Sequence, residues 1–201
     1  MDVDLERLLE ELYRSGREFD AGREDRLERL RNLEPDTARL LAVLVRGIAR
    51  GTTAARVLEL GTSNGYSTIW LADAAKACGG TLTSVEIDPA RSAQAAENLR
   101  RAGLDAFAEL RVVDAGAYLA ESPDAAWELI FLDAERPEYA GYWPDLVRTL
   151  SVGGMLMVDN AISHADEVAA FRELVEHDHR VTDVLVPIGA GALLAVKNPA
   201  P

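Results

Sequence analysis

From residue 55 onward, short runs of β-branched and apolar residues alternate with stretches of helical periodicity, and this alternation constrains the chain more than any other feature. The runs are RVLELG (56–61), TLTSVEI (81–87), AELRVVD (108–114), ELIFLD (128–133) and GGMLMVD (153–159). Each is followed by a helix-like segment, the pattern of βαβ units wound about a parallel sheet. Two more runs, VTDVLVPI (181–188) and ALLAVK (192–197), are separated only by Gly189-Ala190-Gly191. Three residues cannot carry the crossover that parallel strands need, so these runs are expected to pair as an antiparallel hairpin at the sheet's end. The expected fold is α/β, a doubly wound, Rossmann-like, seven-stranded and mostly parallel sheet.

Ahead of the sheet, Leu5, Leu8, Leu9 and Leu12 follow the i, i+3, i+4, i+7 spacing of an amphipathic helix. After a charge-dense stretch, Pro35-Asp36-Thr37 opens a strongly apolar helix, ARLLAVLVRGIAR, expected to end at Gly51. Residues 1–52 therefore read as a helical cap on a 55–197 core, with 1–201 forming one domain. A chain of this length buries well over half of its unfolded surface without a disulfide or metal staple, and the lone Cys78 excludes a disulfide framework. Cys78 itself reads as a packing or surface thiol. No apolar run approaches the ~20 residues of a membrane span, and the acidic N-terminus has no secretory apolar core, so a cytoplasmic location is expected. With 21 Lys+Arg against 34 Asp+Glu, the net charge of −13 disfavours nucleic acid as a partner. The mixed-sign run at 23–31 reads as a solvated helix face, and His177 and His179 suggest no role.

Open α/β sheets bind ligands at the carboxyl ends of their strands, so the residues just after each run carry the functional signal. After the first comes Glu59-Leu60-Gly61-Thr62-Ser63-Asn64-Gly65-Tyr66-Ser67. Its glycines let a loop approach a ligand before the next helix. The G-x-x-x-G spacing departs from the G-x-G-x-x-G of nicotinamide-binding loops, which weakens a dinucleotide reading. Glu86, 25 residues beyond Gly61 at the end of the second run, can accept hydrogen bonds from both hydroxyls of a ribose. An ordinary turn after a strand remains the competing account of the loop alone.

Asp133 ends the fourth run and Asp159-Asn160 ends the fifth. These strands are neighbours in a doubly wound sheet, so two carboxylates and an amide oxygen meet at one rim. That donor set, completed by water and substrate, suits a hard divalent cation such as Mg²⁺, with Mn²⁺ or Ca²⁺ as alternatives. Helix capping would explain one such Asp, but not the trio.

The strings VLELGTSNGYSTIWLADA and TSVEIDPARSAQAAENLRRAGL resemble the first two motifs of class I S-adenosylmethionine-dependent methyltransferases. ELIFLDAERPEYAGYW and VGGMLMVDNAISH narrow the resemblance to the cation-dependent O-methyltransferases, the group of the catechol and caffeoyl-CoA enzymes. It runs from about Asn32 to Lys197. The resemblance implies that Glu59, Gly61, Ser63 and Ser67 surround the methionine half of the cofactor, with Asp133 also beside it. It further implies that Glu86 holds the ribose, Asp114-Ala115 border the adenine, and Asn32-Leu33 belong to a segment covering the cofactor, with Arg31 standing where an apolar residue is expected. Asp133, Asp159 and Asn160 become metal ligands. The implied acceptor is a small catechol-like or vicinally oxygenated molecule, and the implied assembly a homodimer.

One departure from the family pattern bears on catalysis. Where the family reads D-x-x-K, with the lysine as base, this chain has Asp133-Ala134-Glu135-Arg136. An arginine stabilises a phenolate but does not accept its proton. Three routes follow: the metal alone acidifies the acceptor, His164 or a water takes the proton, or the acceptor is already ionised. Tyr139, Tyr142 and Trp143 read equally as a wall for a flat acceptor or as helix packing. The competing functions are O-methylation of a tRNA hydroxyuridine, a cofactor-binding homologue weakened by loss of the lysine, and, more distantly, a nicotinamide oxidoreductase.

Overall fold

The computed structural model describes residues 1–25, 28–49 and 54–200. Its seven strands are β1 (Arg56–Leu60), β2 (Thr81–Glu86), β3 (Ala108–Val112), β4 (Trp127–Leu132), β5 (Leu150–Val158), β6 (Val181–Val186) and β7 (Ala192–Lys197). They form one sheet in the order β3-β2-β1-β4-β5-β7-β6. The five strands β1 to β5 are parallel, and β7 runs antiparallel to both β5 and β6. The expected doubly wound sheet with its C-terminal hairpin is therefore the observed one. β5 begins three residues before the glycine pair because the β4–β5 register shifts between Trp127 and Leu129, pairing Trp127 with Leu150.

Among the described residues seven α-helices surround the sheet: α1 (Val3–Ala21), α2 (Pro35–Ile48), α3 (Tyr66–Ala77), α4 (Pro89–Arg101), α5 (Ala115–Glu121), α6 (Tyr139–Thr149) and α7 (Ala169–Glu176). α1 starts where Asp2 caps it, accepting a hydrogen bond from the Leu5 N–H at 2.9 Å, and buries its Leu5, Leu8, Leu9 and Leu12 stripe as the spacing predicts. α2 opens on Pro35 and is described through Ile48; the end expected at Gly51 lies outside the described residues. Among the described residues no helix is long and apolar enough to cross a membrane.

Alternation along the central strands sorts the core into two halves. Val57, Leu129, Phe131 and Met157 face one way, onto α1, α2 and α3. Leu58, Leu60, Ile130, Leu132, Leu156 and Val158 face the other, onto α5, α6 and α7. Leu5, Leu8, Leu9 and Leu12 of α1 and Leu41 and Val45 of α2 thus belong to the core on one face of the sheet. Tyr139 and Trp143 belong to this packing, each meeting Phe171 edge-on at 5.7 and 5.6 Å between ring centres.

The strand order reverses between β1 and β4, and the chain ends of β1, β2, β4 and β5 converge on the crevice this creates. Hydrogen bonds continue the ladder past the strands: Gly61 N–H to Val85 C=O at 3.0 Å and Asp133 N–H to Leu60 C=O at 2.9 Å. Gly61 has φ 106, and a Cβ there would overlap the Asp133 carbonyl oxygen. Only glycine lets the two loops touch. Gly61→Ala is expected to cost about 2–4 kcal/mol, from the backbone strain plus the collision. Chemical denaturation of wild type and variant measures it, and an unchanged midpoint would contradict the packing described.

Candidate active site

The floor of the crevice is polar. Glu59, the fourth residue of β1, is fully buried beneath the glycine loop. Its carboxylate accepts hydrogen bonds from Ser67 Oγ at 2.5 Å, Thr68 Oγ1 at 2.6 Å and Ser84 Oγ at 2.6 Å. Burial pushes Glu59 up to about 7, against the pull of those three hydroxyls. The side chain lines neither of the cavities above it, so any influence on a ligand passes through Ser67 and the loop.

Two hollows open along the strand ends. The first, about 280 Å³, has Gly61, Ser63, Ser67, Asp133, Arg136 and Asp159 in its wall. The second, about 520 Å³, is bordered by Glu86, Asp114, Ala115 and Tyr142, and shares Gly61 and Asp133 with the first. Glu86 Oε2 accepts the Ser63 N–H at 2.8 Å and Oε1 the Asp88 N–H at 3.0 Å, which fixes both oxygens at the rim. Asp114 caps α5 through the Ala117 N–H at 2.9 Å. Tyr142 is the one member of the aromatic trio that lines either of these two hollows, and it passes so near Gly116 that a Cβ there would lie 2.8 Å from its ring.

A strap formed by residues 29–34 lies over the first cavity. Asp20 holds it through the N–H groups of Leu30 at 2.6 Å and Arg31 at 2.9 Å, and Ser63 Oγ donates to the Leu30 carbonyl at 3.0 Å. Asn32 Nδ2 donates to the Leu12 carbonyl at 3.0 Å, leaving its Oδ1 buried and unpartnered. Arg31, where an apolar residue was expected, has φ 53 and reaches Glu135 at 3.2 Å, tying the strap to the loop after β4.

Asp133, Asp159 and Asn160 do meet. Asn160, at φ 63, turns its amide so that Nδ2 lies 2.8 Å from Asp159 Oδ2 and 3.4 Å from Asp133 Oδ1. Asp159 Oδ1 is buried with no partner. Asp133 is partly accessible from the cavity, yet burial still raises it to about 7, with Arg31 and Arg136 opposing. Asp159 rises to about 8, through burial first and the nearby Asp133 second. Among the described residues no set of three or more His, Cys, Asp or Glu side chains could hold a metal. Two carboxylates and an amide oxygen are instead a partial donor set, fitting an ion that keeps water. The orphaned Asp159 Oδ1 fits such an ion, and rotating the Asn160 amide by half a turn brings its oxygen to the carboxylates.

Arg136 sits in a short 3₁₀ turn (Arg136–Glu138) and is only 3% exposed. Its Nε donates to Glu167 at 2.9 Å, and Nη2 is buried without a partner. His164 shares the cavity wall, with Nδ1 2.8 Å from Ser163 Oγ. The segment carrying it rests on the β6–β7 turn, through Ala161 N–H to Gly191 C=O at 2.8 Å and Ser163 N–H to Ala190 C=O at 2.9 Å. Sequence reasoning missed Arg29, Glu34 and Arg91, which also line the first cavity. Glu34 carried only the signal of standing before Pro35, where α2 begins.

A family model described as O-methyltransferase matches residues 4–198. The chain belongs to the O-methyltransferase family. This is the class I, S-adenosylmethionine-dependent group that the motifs resemble. Among its relatives, a catechol O-methyltransferase from Niastella koreensis is 34% identical over 134 residues, 65% of this chain and 58% of the relative's length. A Mycolicibacterium smegmatis protein named as an O-methyltransferase is 32% identical, over 82% of each chain. Among solved structures, a Klebsiella pneumoniae protein of similar name superposes with a TM-score of 0.79 at 30% identity, covering 99% of this chain and 91% of the other. The Streptomyces achromogenes O-methyltransferase of tomaymycin synthesis, in complex with S-adenosylmethionine, gives a TM-score of 0.75 at 26% identity, over 99% and 91%.

The raised acid under the loop of this O-methyltransferase has a measurable consequence. Between about pH 4.5 and 7 the unfolded chain has lost the Glu59 proton and the folded chain has kept it, so its contribution to stability falls as pH rises. Asp133 and Asp159 slope the same way. Glu59→Gln is expected to flatten the unfolding free energy between pH 5 and 7.5 relative to wild type. Urea unfolding across that range tests it, and identical slopes would place the proton elsewhere.

Proposed function

We propose that this O-methyltransferase transfers the methyl group of S-adenosylmethionine to an oxygen of a small, vicinally oxygenated acceptor of the catechol type, assisted by a divalent cation. The carrying observation is the meeting of Asp133, Asp159 and Asn160 beside the Gly61 loop, with the buried Asp159 Oδ1 lacking a partner. The name of the Niastella koreensis relative supports the acceptor class.

When bound, the cofactor supplies an electrophilic methyl on a sulfonium, and the cation supplies a Lewis acid for the acceptor's oxygens. The chain's own groups bind and orient. Glu86 would accept from ribose hydroxyls, Asp114 and Ala115 would border the adenine, and Ser63 and Ser67 would meet the methionine end. Glu59 holds Ser67 in position from below. Asp133, Asp159 and Asn160 would ligate the cation. Arg136 contributes a permanent positive charge that favours the anionic form of the acceptor and takes no proton from it. His164, in the same wall, is the nearest imidazole for that proton. Alignment of two oxygens against a fixed methyl group turns a bimolecular encounter into an in-line displacement within one site.

The test is transfer of a labelled methyl group to catechol and 3,4-dihydroxylated aromatics, with Mg²⁺ and with EDTA, for wild type and Asp159→Ala. Turnover that requires the cation and drops at least 100-fold in Asp159→Ala is expected; equal rates in EDTA would remove the metal from the reading. In parallel, S-adenosylmethionine should raise the melting temperature and NAD should not, since a ligand stabilises only the state that binds it.

A further inference from the structure

Arg136 is the one arginine in the first cavity whose side chain is almost fully buried, and it is under-used. Among the described residues its only hydrogen-bond partner is Glu167, itself 38% exposed, and that bond occupies Nε alone. Nη2 is enclosed by protein yet unpartnered. The other arginines of the same wall point their donors at protein oxygens: Arg31 at Glu135, Arg91 at the Arg29 carbonyl, and Arg29 at the Arg23 carbonyl. A guanidinium taken out of water with its fork unfilled is costly, because each unmet donor forfeits the hydrogen bond it had in solvent. The group that fits the unmet Nη2 is an anionic oxygen, and a carboxylate there could take a second N–H from the same guanidinium.

We propose that Arg136 is a specificity residue that receives a carboxylate of the acceptor, so that the preferred acceptor is a single-ring dihydroxylated aromatic acid and not a neutral catechol. This rests on the methyl-transfer reading and names the substrate class for the same site. Arg136 lies three residues beyond Asp133 and in one cavity with Asp133, Asp159 and Asn160, so one small molecule can reach both the carboxylate pair and the guanidinium. Size limits the ligand as well, since a cavity of about 280 Å³ must also take the methionine end of the cofactor. In a chain of net charge −13, Arg29, Arg31, Arg91 and Arg136 share the cavity wall with Glu34, Asp133 and Asp159, so the cleft is not dominated by negative charge as the chain as a whole is.

The test uses calorimetric binding to the S-adenosylhomocysteine complex with Mg²⁺ present, comparing 2,3- and 3,4-dihydroxybenzoate with their methyl esters and with catechol. At least one acid is expected to bind wild type tenfold or more tightly than its ester, and Arg136→Gln to reduce that preference below twofold while its affinity for S-adenosylhomocysteine stays within twofold of wild type. Equal binding of acids and esters to wild type overturns the proposal without any variant. A preference that survives in Arg136→Gln also overturns it, as does a variant that loses S-adenosylhomocysteine instead, which would assign the guanidinium to the cofactor's own carboxylate. Labelled-methyl transfer to the same compounds separates the two levels. Turnover of esters and acids alike ends the specificity proposal and leaves methyl transfer standing, whereas acid-selective binding with no transfer to any of them ends the methyl-transfer reading.

Discussion

A carboxylate with no access to water lies at the base of the site, and the loop above it takes its shape from that burial. Glu59 is held by Ser67, Thr68 and Ser84, which belong to α3 and β2, so one side chain ties the first two strands to the helix that follows the glycine loop. Ser67 alone serves Oε1 while Thr68 and Ser84 share Oε2, so replacing Ser67 would leave an unmet acceptor in the interior, at a cost of about 1–3 kcal/mol. Above this layer the backbone closes on itself: Gly61 against Asp133, and Ser63 N–H against Glu86. The ends of β1, β2 and β4 are thereby fixed relative to one another before any ligand arrives, which is the preorganisation a displacement between two bound molecules needs.

The second constraint is electrostatic and concerns the opposite wall. Burial first favours protonation of Asp133 and Asp159, with Glu59 and Glu34 adding to it at Asp133 and Asp133 and Glu34 at Asp159. Arg31 and Arg136 oppose it at Asp133, and the Asn160 backbone N–H and Arg136 oppose it at Asp159. As described, the Asn160 amide donates to both carboxylates and eases that repulsion at short range. On the proposed reading a divalent cation would take over that task, holding both acids ionised and turning the strain of an acid pair into affinity for the ion. Arginine in place of lysine at position 136 then has a physical logic. A lysine amine beside a cation and in low dielectric loses its proton readily, whereas a guanidinium stays charged and remains a receptor for anions.

Much of this was legible in the sequence because strand order and strand ends are encoded locally. The β-branched runs gave the seven strands to within a few residues, and the acids after runs two, four and five marked the rim before any geometry was known. What could not be read depends on contacts between distant segments. Arg31 looked misplaced until its bridge to Glu135, 104 residues away, made it the tie between strap and β4 loop. Glu34 lines the first cavity with the carboxylate pair, and the β6–β7 turn, distant in sequence, brings Gly189 against it and Thr37. The three aromatics after Asp133 share one helical period, and periodicity alone could not say that Tyr142 faces the cavity while Tyr139 and Trp143 face Phe171.

The same distinction separates binding from chemistry in this site. On the proposed reading Glu86 and Ser63 meet the cofactor, and both are fixed by hydrogen bonds between the Glu86 carboxylate and the Ser63 and Asp88 N–H groups, close to their own strands. On the same reading His164 and Glu167, the anchor of Arg136, stand on the acceptor's side, and they lie on the loop from Asn160 to Val168, which is tied to the β6–β7 hairpin through Gly191 and Ala190. A change in that hairpin would therefore shift His164 and the Glu167 anchor of Arg136 without disturbing Glu59, Gly61 or Glu86. On the proposed reading, such an arrangement would let acceptor choice vary by loop exchange while the cofactor half, built into the strand ends, stays as it is.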